Sequence, residues 1–455
     1  MLMRRPLIAI RGGVLLRMTK PWQSRSIATA LGQLWRNWRD PQKKKKQSDT
    51  LRILFCGSDE FSSASLRALH EEKERNPGLI ESIDVVVRPG KRVGRGLKQI
   101  QHPPIRQVAE DDLKLPVHER DTFTGWDMPP GINLIIAVSF GKLVPNRLLQ
   151  AAKYGGLNVH PSLLPNLRGP APLHHAILKW VKVTGVSLQT LDPHEFDKGL
   201  LLAQSPPDEL IEIPPKCTVP QLLERVTPVG ARMLVQGLRD GVHVPPLEEQ
   251  TGVTPWKIYH APKIGPKDRS LYDSFTHLNQ REAEKVPAKG PDDQPLLHPA
   301  RMPYVGPVAR VAHAQRVIGP LWFYAKHRTT GAIKRVIVDK ADEDDMLKPV
   351  FEEFYEDIAR STAMEFASTI IYGPDINPEQ ETDLGSVSLL WYLYEKGNDK
   401  IYLFEGPYGR TRVKTKLCCL GITRLKVDGQ VAKPAAQVLE QFHGFPGLEH
   451  QQSAP

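Results

Sequence analysis

The chain has 455 residues, 40% of them hydrophobic and 25% charged, with a formal net charge of +10. That length suits two or three domains at roughly 100–200 residues each, and the apolar fraction supports a real core. No stretch approaches the ~20 uninterrupted apolar residues of a membrane-spanning helix, and the positive balance points to an acidic partner, nucleic acid first.

Residues 1–39 carry Arg4, Arg5, Arg11, Arg17, Arg25, Arg36 and Arg39, with no acidic residue before Asp40. Ser24 and Ser26 interleave with leucine and alanine. An Arg-rich, Ser-containing, acid-poor start has the composition of an organelle transit peptide. Residues 1–46 are therefore expected to be a transit peptide and a basic linker, closing on the solvated run Lys43–Lys46. The alternative is a basic arm that touches nucleic acid. Cys56, Cys217, Cys418 and Cys419 form no CxxC and no ligand-like cluster, so neither a disulfide frame nor a zinc site is expected.

LRILFCG at 51–57 reads as a buried strand ending at a glycine. SDEFSSASLRALHEE follows as a helix that opens at Ser58 or Asp59 with acidic residues in its first turn. IDVVV at 83–87 is a second strand, followed by the basic loop RPGKRVGRGLK at 88–98 and a short helix near Pro104–Glu110. INLIIAVSF at 132–140, LNVH at 157–160 and GVSLQTLD at 185–192 read as further strands, the last two with polar residues at their ends. A closing helix spans 217–241. Strands alternating with helices predict an α/β, Rossmann-like domain with a mostly parallel sheet at 50–245. Its first turn holds Gly57 alone and no GxGxxG, which argues against a nicotinamide enzyme.

Pro-rich segments at 244–266 open a linker, taken as 246–305. From 306 to 450 the pattern changes. Residues 334–339, 387–394, 400–405 and 417–427 read as β-strands, which predicts a smaller β-barrel of OB-like type. An acidic helical insert is expected at 341–385, where Phe351, Phe354, Tyr355 and Ile358 keep helical spacing.

The densest motif is GLNVHPSLLPNLRGPAPLHHA at 156–176, followed by Asp197 in LDPHEFDKG. Asn158 and His160 lie two apart on a strand, so their side chains share a face. A carboxylate returning on a nearby loop would bond the imidazole and fix its tautomer. Such a trio suits attack of an amine on a carbonyl. Asn158 donates to the developing oxyanion, His160 moves the proton, and Asp197 orients the imidazole. None of the three is a ready nucleophile, which favours direct transfer through a tetrahedral intermediate.

NVHPSLLPNLRGPAPLHHAI resembles the signature of the 10-formyltetrahydrofolate-dependent formyltransferases, above all the branch acting on methionyl-tRNA. LFCGSDEFS, GRGLKQIQHPPIRQVA, AVSFGKLVP, TGVSLQTLD and FDKGLLLAQ extend the likeness in order over most of 51–240. The resemblance implies catalytic roles for Asn158, His160 and Asp197. It implies folate contacts at Ser162, Leu163, Leu164 and Pro165, and a pterin pocket lined in part by Phe140, Gly141, Lys142 and Leu143. It places the basic loop at the acceptor end of the initiator tRNA, with Arg92, Arg95, Lys98 and Arg168 as tRNA-binding residues. No metal is expected, and a monomer in the mitochondrial matrix is.

The chain departs from the pattern of bacterial members at Asn166, where arginine usually follows SLLP, and at DKG in place of DTG. An Asp-Trp stretch of bacterial members is also not evident, and KIGPKDRSLYDSF at 263–275 stands in its place. Two rival readings stay open: a formyltransferase acting on glycinamide ribonucleotide or a sugar amine, and a non-catalytic RNA-binding relative. The second domain and the RGPAPLHHAI continuation favour tRNA, and the intact trio favours catalysis.

Overall fold

The computed structural model describes residues 46–250, 252, 258–271, 307–342, 364–372, 387–395, 401–404 and 419–442, all within the unit Lys44–Pro455. The transit-peptide expectation lies outside the described residues.

The chain enters through β1 (Leu51–Gly57), whose side chains are buried apart from Arg52. Asp59 then starts α1 (Glu60–Arg75), its side chain accepting from the Ser62 amide at 3.0 Å. β2 (Ile80–Val87) pairs in parallel with β1. The basic loop folds into a hairpin of β3 (Lys91–Val93) and β4 (Gln99–Gln101), joined by a short turn over Arg95–Leu97. After α2 (Pro104–Gln107) and a π-helical turn come β5 (Val117–Glu119), β6 (Leu134–Val138), α3 (Asn146–Ala151) and β7 (Gly156–His160). α4 (Pro172–Leu178), β8 (Val183–Thr184), β9 (Ser187–Thr190), β10 (Leu201–Gln204) and β11 (Ile211–Glu212) follow. α5 (Val219–Asp240) closes this part with a capping box of Thr218 and Gln221, and Gly241 ends it in the left-handed region. The Glu72–Arg239 ion pair ties α1 to α5.

The first sheet has the order β10-β9-β7-β6-β1-β2-β5. Its β7-β6-β1-β2-β5 portion is parallel, and β9 and β10 add an antiparallel edge. The chain builds outward from β1 to β2 and β5, then crosses back to β6 and β7. Strand order therefore reverses between β1 and β6, and open α/β sheets take ligands beyond the strand carboxyl ends at such a reversal. His160 is the last residue of β7, on that rim.

Further along the chain, α6 (Pro307–Ile318) precedes β12 (Trp322–Lys326), β13 (Ile333–Asp342), β14 (Met364–Tyr372), β15 (Val387–Glu395), β16 (Ile401–Phe404), β17 (Cys419–Val427), β18 (Lys433–Pro434) and α7 (Ala435–Leu439). These strands form a separate antiparallel sheet in the order β13-β12-β14-β15-β16-β17-β18, and β13 also pairs with β17. Phe323, Val336, Val338, Ile422, Leu425 and Leu439 are buried here.

One expectation is corrected. Met364–Tyr372, placed by sequence inside an acidic helical insert, is strand β14, paired with β15 from Met364↔Glu395 to Tyr372↔Val387. MEFASTIIY holds few acids and many β-formers, and pairing with a distant strand overrides the helical spacing upstream. Phe351, Phe354, Tyr355 and Ile358 lie outside the described residues.

Candidate functional site

The site forms where β7, β9 and β10 present polar side chains across an otherwise apolar sheet. β7 and β9 pair antiparallel in a register that sets Asn158 opposite Gln189 and His160 opposite Ser187, and β10 sets Gln204 beside Ser187. Cross-strand partners on one face lie about 5 Å apart, within reach of each other's polar groups.

Asp197 is the hub of this cluster, in the left-handed backbone region at φ 56°. One carboxylate oxygen accepts from the Gly169 amide at 2.8 Å. The other accepts from the Gln189 amide at 3.1 Å and the Asn158 amide at 3.3 Å, and Nδ1 of His160 lies 3.3 Å away. The side chains of His160 and Asp197 are each only 6% exposed, whereas Asn158 is partly open. Gly199 lets the Asp197 loop return close to β9, since a Cβ there would collide with the Thr190 carbonyl oxygen. Asp192 holds the same loop by accepting from the amides of His194 and Glu195 at 2.7 and 2.9 Å.

The other imidazole nitrogen, Nε2 of His160, lies 2.9 Å from the carbonyl oxygen of Leu167. A carbonyl only accepts, so Nε2 carries the hydrogen. Nδ1 lies 3.3 Å from the Asp197 carboxylate, which would stabilise a proton placed on it. The structure brings His160 and Asp197 together. Asn158 joins them through the carboxylate, using one of its two amide hydrogens and keeping the other.

The SLLP turn is held from beneath. Ser162 and Leu164 are buried. The Ser187 hydroxyl donates to the Ser162 carbonyl at 2.7 Å and accepts from the Leu164 amide at 3.0 Å, and the Gln204 amide donates to the Leu164 carbonyl at 2.9 Å. Sequence reasoning did not single out Ser187, Gln189 or Gln204 as site residues. The signal present was the S-x-Q spacing inside SLQT, two polar residues on one face of an apolar strand.

Phe140–Leu143 follows β6 on the same rim. Ser139 and Gly141 both take positive φ, at 51° and 73°. Phe140 is buried in a second core cluster against Phe123, with ring centroids 5.7 Å apart. Lys142 and Leu143 instead line a cavity of about 430 Å³ together with Thr122, Phe123, Thr124 and Arg147.

Of the basic residues, Arg92 and Lys98 are exposed on the hairpin, and Arg95 begins its turn. Leu97 and Ile100 are exposed beside them. Arg88 is paired with Asp121 at 2.9 Å. Arg168 lies between Leu167 and Gly169, the two residues whose backbones bind His160 and Asp197, and its Nε is buried without a hydrogen-bond partner. Among the described residues no group of three His, Cys, Asp or Glu side chains is placed to hold a metal, and no helix is long and apolar enough to cross a membrane.

Residues 51–238 match the family model described as formyl transferase. The mitochondrial methionyl-tRNA formyltransferase of Saccharomyces cerevisiae is 34% identical over 257 residues, covering 49% of this chain and 64% of that protein. The human mitochondrial enzyme of the same name is 36% identical over 213 residues, covering 46% of this chain and 50% of that protein. The methionyl-tRNA formyltransferase of Caldicellulosiruptor saccharolyticus is 34% identical over 227 residues, covering 48% and 67%. The chain thus spans between half and two thirds of the length of these relatives.

Proposed function

The chain belongs to the formyl transferase family, and we propose that it moves the formyl group of 10-formyltetrahydrofolate onto the α-amine of initiator methionyl-tRNA. The observation that carries this reading is the convergence of Asn158, His160 and the Gly169 amide on Asp197. The second amide hydrogen of Asn158 donates to the oxyanion as the amine attacks the formyl carbon. Nδ1 of His160 accepts the amine proton, and the Asp197 carboxylate stabilises the imidazolium that results. The tetrahedral intermediate collapses with the folate nitrogen as leaving group, and His160 can return the proton to it.

The folate would be held by Ser162–Pro165 and by the wall at Phe140–Leu143. Lys142 and Leu143 of that wall also line the open cavity beside Thr122–Thr124 and Arg147. Arg92, Arg95, Lys98 and Arg168 would contact the tRNA acceptor end. The domain bounds that go with this reading are 50–245 for catalysis, 246–305 for the linker and 306–450 for an OB-like barrel that grips tRNA, the β13–β17 pairing supporting closure. A location in the mitochondrial matrix fits the Arg-rich start and the mitochondrial relatives, and the chain would act there as a monomer.

One observation bears on the rival acceptor, glycinamide ribonucleotide. A helix N-terminus beyond a central strand is the usual seat for a phosphate. Here α1 is capped by Asp59, with Glu60 in its first turn, so a phosphomonoester would meet two carboxylates. The test offers the purified protein 10-formyltetrahydrofolate with either charged initiator tRNA or glycinamide ribonucleotide. Formylation of the tRNA amine is expected, and formylation of the ribonucleotide alone would overturn the reading.

A further inference from the structure

The linker does not simply leave the catalytic part; it lies along the active loop and is bonded to it at successive residues. The Tyr259 amide donates to the Asn166 side-chain oxygen at 2.9 Å, and the Leu167 amide donates to the Tyr259 carbonyl at 2.7 Å. The Ala261 amide donates to the Arg168 carbonyl at 2.7 Å, and the Ala171 amide donates to the Ala261 carbonyl at 3.1 Å. His175 adds a bond from Nε2 to the Pro262 carbonyl at 2.9 Å. Arg168 and His260 pair as a parallel bridge.

These bonds alternate with those that fix the catalytic pair. Leu167 receives His160 on its carbonyl while its amide holds Tyr259. Gly169 gives its amide to Asp197, and its missing side chain lets the Ala261 carbonyl approach. The same linker reaches the C-terminal sheet a few residues on. Nε1 of Trp322 in β12 donates to the Pro266 carbonyl at 3.1 Å, and Ser270 bridges Trp322. Asn166 is 8% exposed and sits where bacterial members of the family usually carry arginine, so its acceptor oxygen is spent on the linker backbone and not on solvent.

We infer that Asn166 is a positioning residue. With the strap Ile258–Pro262 it sets the place of the Leu167 carbonyl and the Gly169 amide, and so the alignment of His160 against Asp197. Through Trp322 the alignment is also tied to the C-terminal sheet. The inference rests on the proposed roles of His160 and Asp197.

The test compares wild type, Asn166→Ala and Asn166→Asp in formylation of charged initiator tRNA, with His160 followed by ¹⁵N imidazole NMR in the full chain. Asn166→Ala removes the acceptor for Tyr259. We expect kcat to fall about tenfold, within the range that sub-ångström to 1 Å misplacement produces, with KM for both substrates within about twofold. The Nε2 resonance should move as the bond to Leu167 changes. Asn166→Asp keeps an acceptor oxygen and should restore most of kcat. Trp322→Phe, which removes the bond to Pro266 but keeps a ring, should lower kcat in the same direction.

Wild-type kcat and an unmoved His160 spectrum in Asn166→Ala would overturn the inference. So would a loss confined to tRNA KM, or an unfolding midpoint that falls without rescue by Asn166→Asp. If wild type fails to formylate tRNA while the His160 resonance still responds to position 166, the functional reading fails and the coupling stands.

Discussion

Gly169 gives its amide hydrogen to Asp197 at 2.8 Å while the Ala261 carbonyl oxygen fills the space that a side chain at 169 would need. Its backbone is at φ 121°, a region open in practice to glycine. Gly169→Ala should therefore displace either the strap or the carboxylate. A fall in kcat of about 100-fold is expected, the scale of a 1 Å misplacement, with destabilisation of order 1–3 kcal/mol. Steady-state formylation and urea unfolding measure the two effects. Activity near wild type would mean that the Gly169–Asp197 bond does not set the geometry of the site.

His160 and Asp197 should behave as one unit. The Asp197→Asn change would turn an amide group toward Asn158, Gln189 and His160, whose nitrogens now converge on one carboxylate oxygen. His160→Ala and Asp197→Asn are each expected to lower kcat by about 10²–10⁴. The double variant should be little worse than the more damaged single one, because residues that act together lose their contributions together. Losses that multiply in the double variant would separate the two roles.

Much of this site could be read along the chain. Asn158 and His160 announce themselves by their spacing at the end of an apolar strand, and Asp197 by the motif that follows. Three other parts were hidden for physical reasons. Gln189 matters because β9 runs antiparallel to β7, and register across strands far apart in sequence is not visible in either strand alone. The Leu167 carbonyl and the Gly169 amide are backbone groups, which carry no sequence signal beyond the glycine. Asn166 reads in sequence only as a departure from a pattern, because the linker backbone that occupies its oxygen lies more than 90 residues further on. In the C-terminal part, local helical spacing upstream of Met364 concealed β14, whose partner begins at Val387.

The hairpin should supply the salt dependence of tRNA use. Arg92 and Lys98 are exposed on it, whereas Arg88 is engaged by Asp121. Arg92→Ala and Lys98→Ala should each raise KM for tRNA and reduce the slope of log affinity against log salt by about one for each phosphate no longer neutralised. KM for the formyl donor should stay put. Arg88→Ala should change the slope less, because its charge is already paired. Equal slopes in all variants would move the tRNA-binding surface away from this hairpin.

His243 makes stability depend on pH in a predictable sense. Its ring is buried, meets Tyr154 edge-on with centroids 5.0 Å apart, and bonds Ser48 through Nε2 at 3.0 Å. Burial lowers its pKa from 6.5 to about 4. The unfolded chain therefore takes up a proton near pH 6.5 that the folded chain refuses until about pH 4. Stability is fully present above the unfolded value and is lost as pH falls through that window. At about 1.4 kcal/mol for each decade of pH, the loss from this residue is on the order of 3 kcal/mol. The bond to Ser48 and the neighbouring pair of Lys153 with Asp49 anchor the chain just before β1, so this segment should loosen first on acidification. Urea unfolding of wild type and His243→Gln at pH 7.5, 6 and 4.5 checks the sign and size. Glutamine cannot titrate, so the variant should begin less stable and lose less between pH 7.5 and 4.5. Parallel losses in the two proteins would assign the acid sensitivity to other groups, His174 and His175 first, since burial lowers both of their pKa values as well.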